Sequence, residues 1–142
     1  MIYLDTSVLF PLFCPDLFSE RAFTFLATTK PDLLISDLAT AEFTALVGRR
    51  TRETEATRRL SDTEADLILV QHRLWTGRTR TCSTDGQDIA RATDYLSRFS
   101  LGLRTQDAIH IAIAHRHGAR LATFDRKMAT SALALGCPLE NC

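Results

Sequence analysis

Apolar residues in this chain occur in two kinds of run: short unbroken stretches, and longer ones in which they return every three or four positions. The short runs, Met1–Leu4, Leu33-Leu34-Ile35 and Leu121-Ala122-Thr123-Phe124, predict buried strands, with a further short strand at Thr79–Ser83. Helical spacing marks a brief helix from Val8 to Phe13 before Pro15, and another from Ser19 to Thr28 with Ala22, Phe23, Phe25 and Leu26 inward. After a break at Pro31 and the second strand, Ser36 or Asp37 can cap a helix running through Leu38, Glu42, Phe43 and Leu46. Ser61-Asp62-Thr63-Glu64 has the form of a capping box and opens a helix to about Trp75, ended by Gly77. Asp85 to Phe99 predicts a helix with Ile89, Ala92, Tyr95 and Leu96 on its inner face. Ala108–Ala114 is apolar on nearly every side, which suits a central, buried helix that Gly118 stops. Strands alternating with helices predict an α/β fold with a mainly parallel sheet covered on both faces.

Length and charge narrow the picture. At 142 residues the expectation is a single domain, 1–142, with a core large enough to stand without disulfides. The 17 basic and 17 acidic residues cancel, so no global field draws the protein onto nucleic acid and any such contact must be local. The strongly polar stretch from Arg49 to Arg59, with Arg49, Arg50, Arg52, Arg58 and Arg59 among Glu53 and Glu55, reads as an exposed connection or helix end. Cys14, Cys82, Cys137 and Cys142 form no CxxC pair, and small buried thiols are the simpler reading than a zinc site. With no leader-like segment and no run of about twenty apolar residues, a cytoplasmic protein without a membrane span is expected.

The acids carry the chemistry. Two apolar strands end in an aspartate, Asp5 and Asp125, and in open α/β sheets ligands collect at the carboxyl ends of the strands. Asp107 falls in the first turn of the apolar helix, and Glu42 lies inside a helix beside Phe43. Four such carboxylates brought together repel one another unless cations neutralise them. All-oxygen donors without a cysteine or histidine pair suit Mg²⁺, with Mn²⁺ as substitute, and metal-assisted phosphodiester hydrolysis is the reaction that fits. Each acid also has a plain structural reading: Asp5 and Asp125 as helix caps, Asp107 as a partner of its helix dipole, Glu42 as an exposed helical charge.

The strings that hold the acids, MIYLDTSVL, ATAEFTAL, RTQDAIHIAIA and LATFDRKM, together resemble the PIN-domain family, and within it the VapC-type toxins of bacterial toxin–antitoxin pairs. The resemblance covers the whole chain in the expected order. It implies a three-layer α/β/α fold and Asp5, Glu42, Asp107 and Asp125 as catalytic, metal-binding acids, with Asp5 and Asp107 direct magnesium ligands. It further implies Mg²⁺- or Mn²⁺-dependent cleavage of RNA, a homodimer, and inhibition by a cognate antitoxin. Thr6 and Thr123 stand where the family often places a hydroxyl that orients a carboxylate or a phosphate. For holding RNA, Arg49, Arg50 and Arg52, or Arg126 and Lys127 beside Asp125, are the candidates.

His110, one turn beyond Asp107, reads as a satisfied core histidine before a partner of the acids. Trp75 and the eight phenylalanines read as core or dimer interface, and Phe10, Leu12, Phe13, Leu17 and Phe18 as core or a groove wall. Asp5-Thr6-Ser7 lacks the second aspartate that a haloacid dehalogenase-type phosphatase requires, and neither GxGxxG nor GxxxxGK occurs. The rival from another class is an RNA- or partner-binding module whose acids hold a structural ion without catalysis.

Overall fold

A computed structural model describes residues 1–28, 32–55 and 59–142. The break expected at Pro31 and the basic Arg58 lie outside the described residues. Four strands, β1 (Ile2–Leu4), β2 (Leu33–Ser36), β3 (Arg80–Cys82) and β4 (Arg120–Ala122), form one sheet in the order β3-β2-β1-β4. Every pairing is parallel, with Ile2 opposite Leu33 on one side and Arg120 on the other. Parallel strands need crossovers, and the helices supply them. α1 (Thr6–Leu9) and α2 (Ser19–Thr28) lead to β2, α3 (Asp37–Arg50) and α4 (Asp62–Thr76) to β3, and α5 (Gly86–Leu96) and α6 (Thr105–Arg116) to β4. α7 (Arg126–Ala134) follows.

Side-chain alternation along the strands divides the core into two slabs. Ile2, Leu4, Ile35 and Ala122 face one cluster, which includes Val8, Phe25, Phe43 and Ile68 from α1 to α4. Tyr3, Leu34 and Leu121 face the other, which includes Tyr95, Ile111, Ile113 and Met128 from α5 to α7. The result is the expected three-layer α/β/α arrangement. Seven consecutive residues of α6, Ala108 to Ala114, are buried, as an all-round apolar helix must be.

The polar punctuation acts where the sequence places it. Ser36 caps α3 by accepting from the Ala39 amide at 3.0 Å, and Ser61 and Glu64 form the capping box of α4. Gly118, at φ 57°, makes the left-handed turn after α6 that a side chain would strain.

Several expectations need correction. Phe23 and Ile89 point outward, at 56% and 48% exposure, because each sits at the margin of its helix's apolar stripe. β4 ends at Ala122 rather than Phe124, so two residues separate the strand from Asp125. α5 stops at Leu96, and Phe99 opens a separate 3₁₀ turn on the surface. The Phe10–Phe18 group is not one wall. Phe10 is buried and Leu12 and Phe13 pack on the core, while Leu17 and Phe18 are exposed. Trp75 lies edge-on to Phe13, in the core as expected. The four cysteines are free, Cys14 and Cys137 being buried. Among the described residues no helix is long and apolar enough to cross a membrane.

Candidate active site

Strand order fixes where a site can form. The chain steps from β1 to β2 in one direction and reaches β4 on the other side of β1, so the crevice beyond the carboxyl ends of β1 and β4 is a topological switch point. Asp5 follows β1 there, with extended backbone, and caps α1. Its Oδ1 accepts from Ser7 Oγ at 2.7 Å and the Val8 amide at 3.2 Å, and its Oδ2 from Thr123 Oγ1 at 2.8 Å. Ser7 Oγ and Thr123 Oγ1 also accept the amides of Phe124 and Asp125, at 2.8 and 3.0 Å. Two hydroxyls therefore stitch the end of β1 to the segment after β4, with Asp5 between them. Burial pushes the Asp5 carboxyl above its ordinary pKa; the attraction of His110 and the bonds from Ser7, Thr123 and Val8 recover only part of that cost.

Glu42, half-buried on α3, receives Thr6 Oγ1 at 2.5 Å and His110 Nε2 at 2.8 Å, both on Oε2. Burial would raise its pKa, but the hydrogen bond and attraction of His110, with the bond from Thr6, outweigh it and lower the value. Asp107, in the first turn of α6, accepts the Arg104 amide on Oδ2 at 3.3 Å. Burial raises its pKa, and the charge of Asp125 adds to the rise against the pull of the Arg104 amide. Asp125 caps α7, its Oδ1 accepting the amides of Lys127 and Met128 at 2.8 and 3.0 Å. The capping roles foreseen for Asp5 and Asp125 are thus real. They use only one oxygen of Asp125.

All four acids line a single cleft of about 330 Å³, together with Thr6, Ser7, Arg49, Arg104, Gln106 and His110. Their convergence is looser than the sequence suggested. Among the described residues no three His, Cys, Asp or Glu side chains stand close enough to make a ready-built cation cage. Carboxylates repel, and Glu42 is drawn toward Thr6 and His110. The donor set still suits a hard cation. It is all oxygen, and no described residue donates to Glu42 Oε1, Asp107 Oδ1 or Asp125 Oδ2.

The basic candidates separate sharply. Arg49 lines the cleft, whereas Arg50 lies over the Phe10 ring, 5.6 Å from its centroid. Arg52, Arg126 and Lys127 are exposed outside the cleft lining. Helical geometry explains the first split, since neighbouring residues on a helix point about 100° apart. Arg104 is the cleft residue that sequence reasoning missed, although its place just before the helix that starts with Asp107 in its first turn was a usable signal. Ser7 was also missed. Thr6 and Thr123 both bond directly to acids, as expected of orienting hydroxyls. His110 is buried as foreseen, yet it is bound to Glu42 rather than being merely a core residue.

The molecule is thus a doubly wound parallel α/β domain whose four candidate acids line the cleft at the switch point of its sheet. The chain belongs to the PIN domain family, whose model matches residues 2–132. No curated protein sequence matches it. Among solved structures it is similar to VapC20 of Mycobacterium tuberculosis, a toxin that cleaves the sarcin-ricin loop, at 21% identity and a TM-score of 0.73, covering 92% of this chain and 95% of that one. FitAcB of Neisseria gonorrhoeae gives 22% identity and a TM-score of 0.71, over 99% and 97%. VapBC2 of Rickettsia felis, bound to DNA from its promoter, gives 15% and 0.68, over 100% and 99%. At these identities the likeness is one of fold.

Proposed function

We propose that the protein is a metal-dependent endoribonuclease, the toxin of a toxin–antitoxin pair. The observation that carries this reading is the one cleft shared by Asp5, Glu42, Asp107 and Asp125 at the rim where β1 and β4 end. Membership of the PIN domain family and likeness to an RNA-cleaving toxin and to toxin–antitoxin assemblies support it. Asp5, Asp107, Glu42 and Asp125 are the residues that would hold Mg²⁺ or Mn²⁺, Asp5 and Asp107 foremost. When bound, such an ion supplies Lewis acidity toward a phosphoryl oxygen and a water of lowered pKa.

The chain's own residues do the rest. Ser7 and Thr123 lock Asp5 in one orientation, and Thr6 does the same for Glu42, so neither acid has to reorganise as charge develops. Arg49 and Arg104 on the cleft wall offer planar guanidinium groups to the phosphates on either side of the scissile bond. With no net charge on the chain, these local cations carry the attraction for RNA. The proposal includes a cytoplasmic homodimer held inactive by a cognate antitoxin.

Purified protein free of inhibitor is expected to cut RNA with Mg²⁺ or Mn²⁺ and to stop in chelator. Asp107→Asn should abolish cutting without loss of fold, and Arg104→Ala should chiefly raise KM. Full cleavage by Asp107→Asn would defeat the proposed site. RNA binding without cleavage under either metal would favour the binding-module reading instead. Sedimentation tests the dimer, and relief of toxicity by co-expressing the neighbouring reading frame tests the antitoxin.

A further inference from the structure

Glu42 is held unlike the other acids, at the end of a chain of polar groups that starts deep in the core. A carboxylate oxygen only accepts, so His110 Nε2, 2.8 Å from Oε2, must carry a hydrogen. In the neutral ring Nδ1 is then an acceptor, and it faces the Tyr3 hydroxyl at 2.6 Å. That hydroxyl also lies 2.7 Å from Ser36 Oγ, which accepts the Ala39 amide at 3.0 Å. For the neutral ring, one assignment gives every atom a partner: Ser36 donates to Tyr3, Tyr3 to Nδ1, and Nε2–H to Glu42. The reverse would set a bare Nε2 lone pair against a carboxylate. Tyr3, Ser36 and His110 are 0%, 1% and 2% exposed, so no bulk water competes for these bonds.

The placement is otherwise hard to account for. Tyr3 is the polar-tipped residue of β1, and His110 sits within the run of seven buried residues of α6; each costs free energy to bury without a partner. A phenylalanine and a leucine would fill similar space in the same slab. What the polar pair adds is a fixed donor aimed at Glu42.

We propose that Tyr3 and His110 are positioning residues that hold Glu42 by one oxygen and keep the other, Oε1, free as a donor to a divalent cation. Together with Thr6 they pin Oε2 from two directions, one from α1 and one from α6. Tyr3 acts at one remove, by donating to Nδ1 and so holding in place the ring whose Nε2–H the Glu42 carboxylate requires. The cation part rests on the proposed metal-dependent activity; the hydrogen-bond part does not.

The test uses the full chain and two readouts. In metal-free protein, ¹⁵N NMR of His110 should show hydrogen on Nε2 and a bare Nδ1, with the Nδ1 resonance shifted in Tyr3→Phe as its hydrogen-bond donor is lost. By calorimetry with Mn²⁺, Tyr3→Phe and His110→Leu should each weaken binding roughly tenfold. His110→Gln, whose amide can still donate to Glu42, should recover most of it, and adding Tyr3→Phe to His110→Gln should cost nothing further. A bare Nε2 in the wild type, or an Nδ1 resonance unmoved in Tyr3→Phe, overturns the proposal. So does a folded His110→Leu that binds Mn²⁺ as the wild type does, or a Gln variant as weak as Leu, which marks packing alone. Wild-type protein that binds no Mn²⁺ would defeat the metal reading, and the NMR result would then decide the positioning.

Discussion

Asp5 and Asp88 are both buried carboxylates, at 3% and 1% exposure, and both lie at helix N-termini, yet they are stabilised in opposite ways. Asp88 is neutralised. Arg116 grips it with Nε and Nη2 at 2.8 Å each, and the Asp85 amide completes its hydrogen bonds at 3.0 Å. Asp5 has three good hydrogen bonds, but no described arginine or lysine pairs with it. The first arrangement joins α5 to α6 and leaves the charge no further work. The second leaves an acid in a cleft with no arginine or lysine against it among the described residues, which is costly for stability and useful for binding a cation.

The contrast can be broken most directly through activity. Asp5→Asn should lower RNA cleavage by about a thousandfold, equivalent to ~4 kcal/mol of transition-state stabilisation. Asp88→Asn should leave the turnover of folded protein unaltered, and equal losses in both would erase the distinction. Stability should respond the other way. Asp88→Asn removes the charge from a bidentate pair whose arginine is 26% exposed, and a cost of about 2 kcal/mol is expected in urea denaturation.

The smallest effect, and the sharpest, is the pH dependence. Asp5 has a folded-state pKa above its unfolded value, so the folded state binds more protons and Asp5 favours folding progressively as pH falls through the folded pKa. Above that range its charge is a liability. In chelator, Asp5→Asn should therefore be more stable than wild type at neutral pH, by about 1 kcal/mol, and the advantage should shrink on acidification. Asp107, raised in the same direction, should behave alike. Glu42 is lowered, so its contribution is present above its unfolded pKa and lost as pH falls through the folded one. An Asp5→Asn advantage that grew toward acid would contradict the assignment.

What could be read from the sequence was what local rules decide. Ser36, Ser61 and Gly118 announce helix ends within a few positions, and Asp5 and Asp125 stand out because strands lead toward them at one rim. Phe23 and Ile89 show where periodicity falters, for it names a helix face but not how far a neighbour covers it. The split of Arg49 from Arg50 turns on 100° of helix rotation, a difference invisible in a polar run of residues. Tyr3, Ser36 and His110 meet across separations of 33 and 107 positions, which no window along the chain contains. A tyrosine tip in a buried strand was nonetheless a sign that some partner existed.

The hydroxyl stitch between Asp5 and Thr123 spans 118 positions. On a ribosome adding about 5–20 residues per second, the amino-terminal half of that contact waits several seconds for its mate. Until β4 has emerged, β1 lacks one of its two neighbours and Asp5 lacks the hydroxyl on Oδ2. Under the proposed function, the cleft is complete only once the chain has been made as far as Thr123 and Asp125.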